Sequence, residues 1–184
     1  MEPMGTSERL LTAEDVLAPE YRRGELWDGV FVVREPSGGC SGAVGFRVGA
    51  ALARALEGHD GWAFAAEQGF FVSRDPDRVL APDVSYVTAE RLAAPPRRGF
   101  IEGAPDFAVE VRSPTDSWTA TIEKGGVWIG HGARVVWCID PLAQRAVVMR
   151  PGAPPVEASP GDELTADPVL DLVVALDELF AGLA

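Results

Sequence analysis

Residues 105–114 read PDFAVEVRSP, and the strand they predict decides the fold. A strand sends alternate side chains to opposite faces. Phe107, Val109 and Val111 therefore share one face, and Ala108, Glu110 and Arg112 share the other. A glutamate in the middle of an otherwise apolar strand is costly to bury unless it is paired or holds a cation. Downstream, a moderately helical segment from about Thr115 to His131 leads to RVVWCID (134–140), whose apolar run predicts a second buried strand. The reading is an α/β fold: one mixed β-sheet flanked by helices, with a carboxylate on one face.

Upstream, APDVSYV (81–87) is a strand that opens on another acid out of place, Asp83. WAFAAEQGFFV (62–72) predicts the strand before it, with Asp75, Pro76 and Asp77 suiting a tight turn between the two. From Ala43 to Leu56, Val44, Val48, Ala51, Leu52, Ala55 and Leu56 recur at helical spacing, and Gly58 stops the helix. ELWDGVFVVRE (25–35) alternates around Asp28-Gly29, a strong hairpin signal. LTAEDVLAP (11–19) predicts a short N-terminal helix with Thr12 as its cap and an end near Pro19. AERLAAPPRRG (89–99) is a loop with room for one helical turn. AQRAVVMRP (143–151) predicts a strand, followed by a loop, and LDLVVALDELF (170–180) a short strand running into a short helix.

The chain of 184 residues is the size of one domain, read as 1–184 with a core over about 41–150, and 47% of it is hydrophobic. No run approaches the ~18 apolar residues of a membrane span. MEPMGTSERL lacks the basic start and apolar run of a signal peptide, so a cytoplasmic protein is expected. Cys40 and Cys138 form no CxxC pair and have no histidine near them, which leaves structural roles and argues against zinc. His59 and His131 lie in loop-like surroundings and read as exposed. The five tryptophans read as core rather than as platforms for bases. A net charge of −12 argues against a simple nucleic-acid binder, because phosphate contacts come mainly from Lys and Arg. The acid is uneven, however. Glu157–Ala184 carries seven acids and no Lys or Arg, whereas Arg91, Arg97, Arg98, Arg112 and Lys124 fall in the middle.

Asp83 and Glu110 on neighbouring strands could hold a hard cation such as Mg2+, which prefers oxygen ligands and keeps several waters. Such a cation activates a water and neutralises a phosphoryl oxygen, and a nearby lysine, here Lys124, orients the water or steadies the leaving charge. At LTAEDVLAPE, ELWDG, APDVSYVTAERL, APDFAVEVRSPTDS, IEK and GARVVWCIDP the sequence resembles the PD-(D/E)XK nuclease superfamily, and within it the Uma-type family of restriction endonucleases.

That resemblance implies a core of helix, three-stranded meander, helix and strand, with Asp83 and Glu110 as ligands of Mg2+ or Mn2+. It implies cleavage of DNA by a metal-dependent endonuclease. The superfamily's usual lysine position is Arg112 here, and an arginine does not readily release its proton. The resembled family carries its lysine on the following helix, where Lys124 stands. Glu25 is an accessory acid by the same likeness, Glu67 on the strand before Asp83 is a candidate for a further ligand or a water contact, and Arg112 or Arg98 is expected on phosphate. A homodimer would pair two active sites.

Two departures from the pattern are visible. GGVWIGHG (125–132) replaces a Leu- and Ala-rich helix, each interior glycine costing about 1 kcal/mol, so a short or distorted helix is expected. Cys40 stands where a histidine is common. Ser113, Pro114 and Asp116 look like a helix start and are read as capping. The alternatives are an inactive nuclease-fold module binding a protein or mobile-element partner, and a hydrolase of small phosphorylated molecules.

Overall fold

Asp28 and Gly29 take φ values of 50° and 79°, the two positive values that a type I′ turn requires. The turn joins β1 (Gly24–Trp27) to β2 (Val30–Val33) with Trp27 opposite Val30 and Glu25 opposite Val32. The structure is a computed structural model and describes residues 9–21, 23–36, 38–65 and 68–183. Ahead of the hairpin, the expected N-terminal helix is replaced by two 3-10 turns, Asp15–Leu17 and Pro19–Tyr21. Thr12 and Asp15 cap each other, the Thr12 amide donating to Asp15 Oδ2 at 2.7 Å and the Asp15 amide to Thr12 Oγ1 at 3.3 Å. Pro19 supplies no amide hydrogen, and so short a segment does not sustain an α-helix.

Helix α1 (Gly39–Ala55) starts before Ala43 and buries Val44, Val48 and Leu52, the stripe set by its spacing. The stretch WAFAAEQGFFV is not one strand. It divides into β3 (Trp62–Ala65) and β4 (Phe70–Ser73), which belong to different sheets. A tight turn then gives β5 (Arg78–Leu80), and only after Ala81-Pro82-Asp83 does the chain return to the first sheet as β6 (Val84–Val87). Gly69 marks the departure: a Cβ there would come within 2.5 Å of the Phe100 ring. Apolar pattern alone cannot register such a change of partner.

The remaining elements are β7 (Ile101–Glu102), β8 (Phe107–Val111), α2 (Trp118–Gly130), β9 (Val135–Asp140) and β10 (Arg145–Met149). Two short strands, β11 (Val156–Ala158) and β12 (Glu163–Thr165), fall where a loop was expected. The chain closes on β13 (Val173–Ala175) and α3 (Leu176–Phe180), the strand and helix read from LDLVVALDELF.

The six-stranded sheet runs β11-β10-β9-β8-β6-β3, and the five-stranded sheet runs β2-β1-β5-β4-β7. The expected meander is β3-β6-β8, all antiparallel, and α2 carries β8 to its parallel neighbour β9. One face of the six-stranded sheet packs Phe107, Val109, Val111 and Trp137 against α1 and α3. The other packs Ala108, Val136 and Cys138 against Trp128 of α2 and Phe70 and Leu80 of the five-stranded sheet. The alternation read from PDFAVEVRSP thus assigns its residues to the correct faces, and Glu110 points into the layer between the two sheets.

Helix α2 is neither short nor distorted. Its cap is Ser117, whose Oγ accepts from the Ala120 amide at 3.0 Å, while Ser113 bonds to Asp116 ahead of the helix. Gly125 is buried against β9 and β10, where a Cβ would meet Cys138 Sγ at 2.5 Å. The glycine that weakens the isolated helix is what lets it lie close on the sheet.

Candidate active site

Lys124 occupies the side of α2 that faces both sheets, and its side chain is only 6% exposed. An ammonium group has three donors, and here each has an acceptor. Nζ lies 2.7 Å from Glu25 Oε1, 3.0 Å from Glu110 Oε1 and 2.9 Å from the Ala81 carbonyl. One acid comes from the five-stranded sheet and one from the six-stranded sheet, so the lysine joins the two. Such a pair of buried contacts is favourable only because every donor is satisfied.

Each glutamate is further held by an indole. Trp128, one helical turn beyond Lys124, donates to Glu110 Oε1 at 2.6 Å. Trp27, two residues from Glu25 on the same strand face, donates to Glu25 Oε2 at 3.1 Å. The Ala81 amide adds a bond to Glu25 Oε1 at 2.9 Å, and the Arg34 guanidinium approaches Oε2 to 3.5 Å. Glu25 is thereby committed on both oxygens.

Asp83 completes the group. The register that sets Val84 opposite Val109 places Asp83 opposite Glu110 when carried one step further. Its amide donates to the Val109 carbonyl at 3.0 Å, and its Oδ2 accepts from the Val111 amide at 2.6 Å. Among the described residues, Asp83 Oδ1 and Glu110 Oε2 have no hydrogen-bond partner. Ser85 follows Asp83 on the same strand face, buried, and its Oγ has no partner among the described residues.

Burial and neighbouring charge together account for the protonation pattern. Burial pushes the Glu110 carboxyl up to about 7, with Asp83 and Glu25 adding to the rise and Lys124 and Trp128 opposing it. Burial likewise raises Asp83, partly countered by Lys124. For Glu25, Lys124 and Arg34 together outweigh its burial, and it stays ionised below the usual glutamate range. Burial also works against the charge on Lys124, but Glu110 and Glu25 overcome it and keep the amine protonated. Burial first, and the surplus of three acids over two cations second, keep a proton on Glu110 up to near neutrality.

A family model described as Uma2, putative restriction endonuclease, matches residues 9–177. The chain belongs to the Uma2 family. A crystal structure of a putative nuclease belonging to DUF820 from Anabaena variabilis ATCC 29413 is similar to this Uma2 chain, with a TM-score of 0.80 and 22% identity over 95% of this chain and 99% of that one. No curated protein matches the sequence. At that identity the likeness speaks for the fold, and the expected α/β nuclease-type architecture is borne out.

The Uma2 fold brings Asp83, Glu110, Lys124 and Glu25 to one place. Arg112, two residues beyond Glu110 on the same face, is tied through Nη1 to buried Asp140 at 3.1 Å and through Nε to the Asp116 carbonyl at 2.9 Å. Arg98 sits exposed on the loop between β6 and β7, and Glu67 lies outside the described residues. Cys40 is half-buried, Cys138 is buried, and both are free thiols. Sequence reading missed Trp128, Trp27, Arg34 and the Ala81 carbonyl. Two of these were within reach: Trp128 stands at i+4 from Lys124, and Trp27 at i+2 from Glu25.

Two open depressions, of about 410 Å3 beside Trp118 and Arg145 and about 550 Å3 beside His59 and Asp171, lie apart from these residues. Among the described residues, no helix is long and apolar enough to cross a membrane.

Proposed function

We propose that this Uma2 domain is a Mg2+-dependent endonuclease that hydrolyses phosphodiester bonds of DNA, with Asp83 and Glu110 as metal ligands and Lys124 beside them. The observation that carries the reading is the opposition of Asp83 and Glu110 across β6 and β8, each with one carboxylate oxygen that no described residue engages. An all-oxygen donor set suits Mg2+ and also admits Mn2+. Among the described residues, no group of three or more His, Cys, Asp or Glu is arranged to hold a metal. Two carboxylates still fit Mg2+, which is commonly bound by one or two together with waters and substrate phosphate.

When bound, the cation supplies an activated water and charge neutralisation at the phosphoryl oxygen. The protein's own residues set the conditions. Glu110 must give up its proton to ligate, so binding strengthens as pH rises through about 7. Lys124 stays charged and holds Glu110 Oε1, which leaves Oε2 turned to the ligand. It acts as a fixed positive charge rather than as a base. Glu25 does not ligate in this reading; it anchors the lysine. A homodimer would set two such sites against the two strands of a duplex.

The test is nicking of supercoiled plasmid in Mg2+ or Mn2+ by the wild type, Asp83→Ala, Glu110→Ala and Lys124→Ala. Nicking by the wild type alone is expected. A wild type as inert as the three variants in every metal and salt condition would overturn the reading in favour of a partner-binding module.

A further inference from the structure

A strand bound beside a metal is held more firmly by a cationic side chain on its phosphate, and most basic side chains around this site have few donors left for it. Lys124 spends all three on Glu25, Glu110 and Ala81. Arg112 spends Nε on the Asp116 carbonyl and Nη1 on both Asp140 oxygens, which leaves it Nη2 alone. Arg78 donates to Asp28 from Nη2 at 2.7 and 2.8 Å and from Nε at 3.2 Å, and its Nη1 meets His131 Nε2 at 3.3 Å. Arg34 differs from all three in keeping both Nη groups without a partner among the described residues.

Arg34 follows β2, and its amide extends the hairpin ladder to the Arg23 carbonyl at 2.8 Å. Glu25 stands opposite Val32, so residue 34 lies on the diagonal of the same face and leans over the site. Its Nε approaches Glu25 Oε2 at 3.5 Å, while its side chain remains 41% exposed. Neither Nη has a hydrogen-bond partner among the described residues. Glu25, Glu110, Asp116 and Asp83 all lie near enough to favour its charge, against the cost of partial burial. A half-exposed guanidinium is thus braced at one nitrogen, surrounded by the acids of the site, and open at its fork.

We propose that Arg34 grips the phosphate of the bound strand, its two Nη groups donating to phosphate oxygens while Glu25 fixes the orientation of the fork. The assignment rests on the nuclease reading and adds a residue to it. A planar fork matches phosphate in a two-toothed geometry that an ammonium cannot copy. Arg34 also offsets the acids that would otherwise repel the strand.

The experiment measures binding of a fluorescein-labelled DNA duplex in Ca2+ across a salt series, and plasmid nicking in Mg2+, for the wild type, Arg34→Ala, Arg34→Gln and Arg34→Lys. Loss of one phosphate contact is expected to lower the slope of log K against log salt by about 0.9 in Arg34→Ala. Arg34→Lys should recover the slope, because charge is restored, yet nick on the order of 10-fold more slowly because the fork is lost. A residue that merely braces Glu25 would change melting temperature and leave the salt slope alone. Arg34→Gln carries the same comparison should the alanine variant fail to fold. If the wild type binds and nicks DNA and the variants keep its slope, the role of Arg34 is overturned while the nuclease reading stands. If the wild type neither binds nor nicks, both fall together.

Discussion

Replacing Glu110 with glutamine isolates the charge that this fold tolerates least. The folded protein holds the Glu110 proton up to about 7, against an ordinary value of 4.5. One pKa unit corresponds to 1.36 kcal/mol, so the displacement amounts to about 3 kcal/mol. Because the folded-state value is raised, the native state binds the proton more tightly than the unfolded chain does. The associated stability is present in full below about pH 4.5 and is lost as pH rises through 7. Glutamine retains the carbonyl oxygen that accepts from Trp128 and Lys124 and never ionises. Urea unfolding of the wild type and Glu110→Gln at steps from pH 5 to pH 8.5, without divalent metal, should give similar stabilities at the acid end. At the alkaline end the variant should be more stable by about 3 kcal/mol. Parallel profiles, or a wild type that gains on the variant as pH rises, would refute the account of Glu110 as a carboxyl kept neutral by burial.

Lys124→Met leaves Glu25 and Glu110 buried without their shared cation, and should cost about 3–5 kcal/mol at pH 8 by urea unfolding. Adding Glu25→Gln to that variant should recover much of the loss. Gly125→Ala forces a Cβ against Cys138 Sγ and should destabilise by about 1–3 kcal/mol in thermal melts. It should also depress nicking by more than its effect on folding, because the whole helix that carries Lys124 must shift. Trp128→Phe removes a hydrogen bond that favours the ionised form of Glu110, so the rise of nicking rate with pH should move to higher pH. An unmoved profile would mean that the indole does not tune that carboxyl.

What the sequence discloses here is what depends on local period. The faces of β8, the stripe of α1 and the two-residue turn of the hairpin follow from spacing alone, and the structure agrees with each. What it conceals is partnership. WAFAAEQGFFV reads as one strand because nothing in its apolar pattern marks the point at which the chain changes sheets. Gly125 reads as weakness because its use, a close approach to Cys138 and Met149, belongs to a strand pair elsewhere in the chain. The tie between Arg112 and Asp140 is hidden as well, because Asp140 comes from the far side of a helix. Arg34 went unnoticed for the opposite reason, since only the hairpin register places it above Glu25.

The way Lys124 is secured bears on how the molecule is assembled. Of its two anionic neighbours, Glu110 lies on the strand just before its helix, whereas Glu25 is remote in sequence and reaches it only when the amino-terminal hairpin has docked. Contacts of such separation form late, after their loop-closure entropy has been met. A nascent or partly unravelled chain therefore has an amine free to swing and a Glu110 without its full set of neighbours. Docking of the hairpin is the event that fixes this charge pattern, so completion of the fold and completion of the site are the same step.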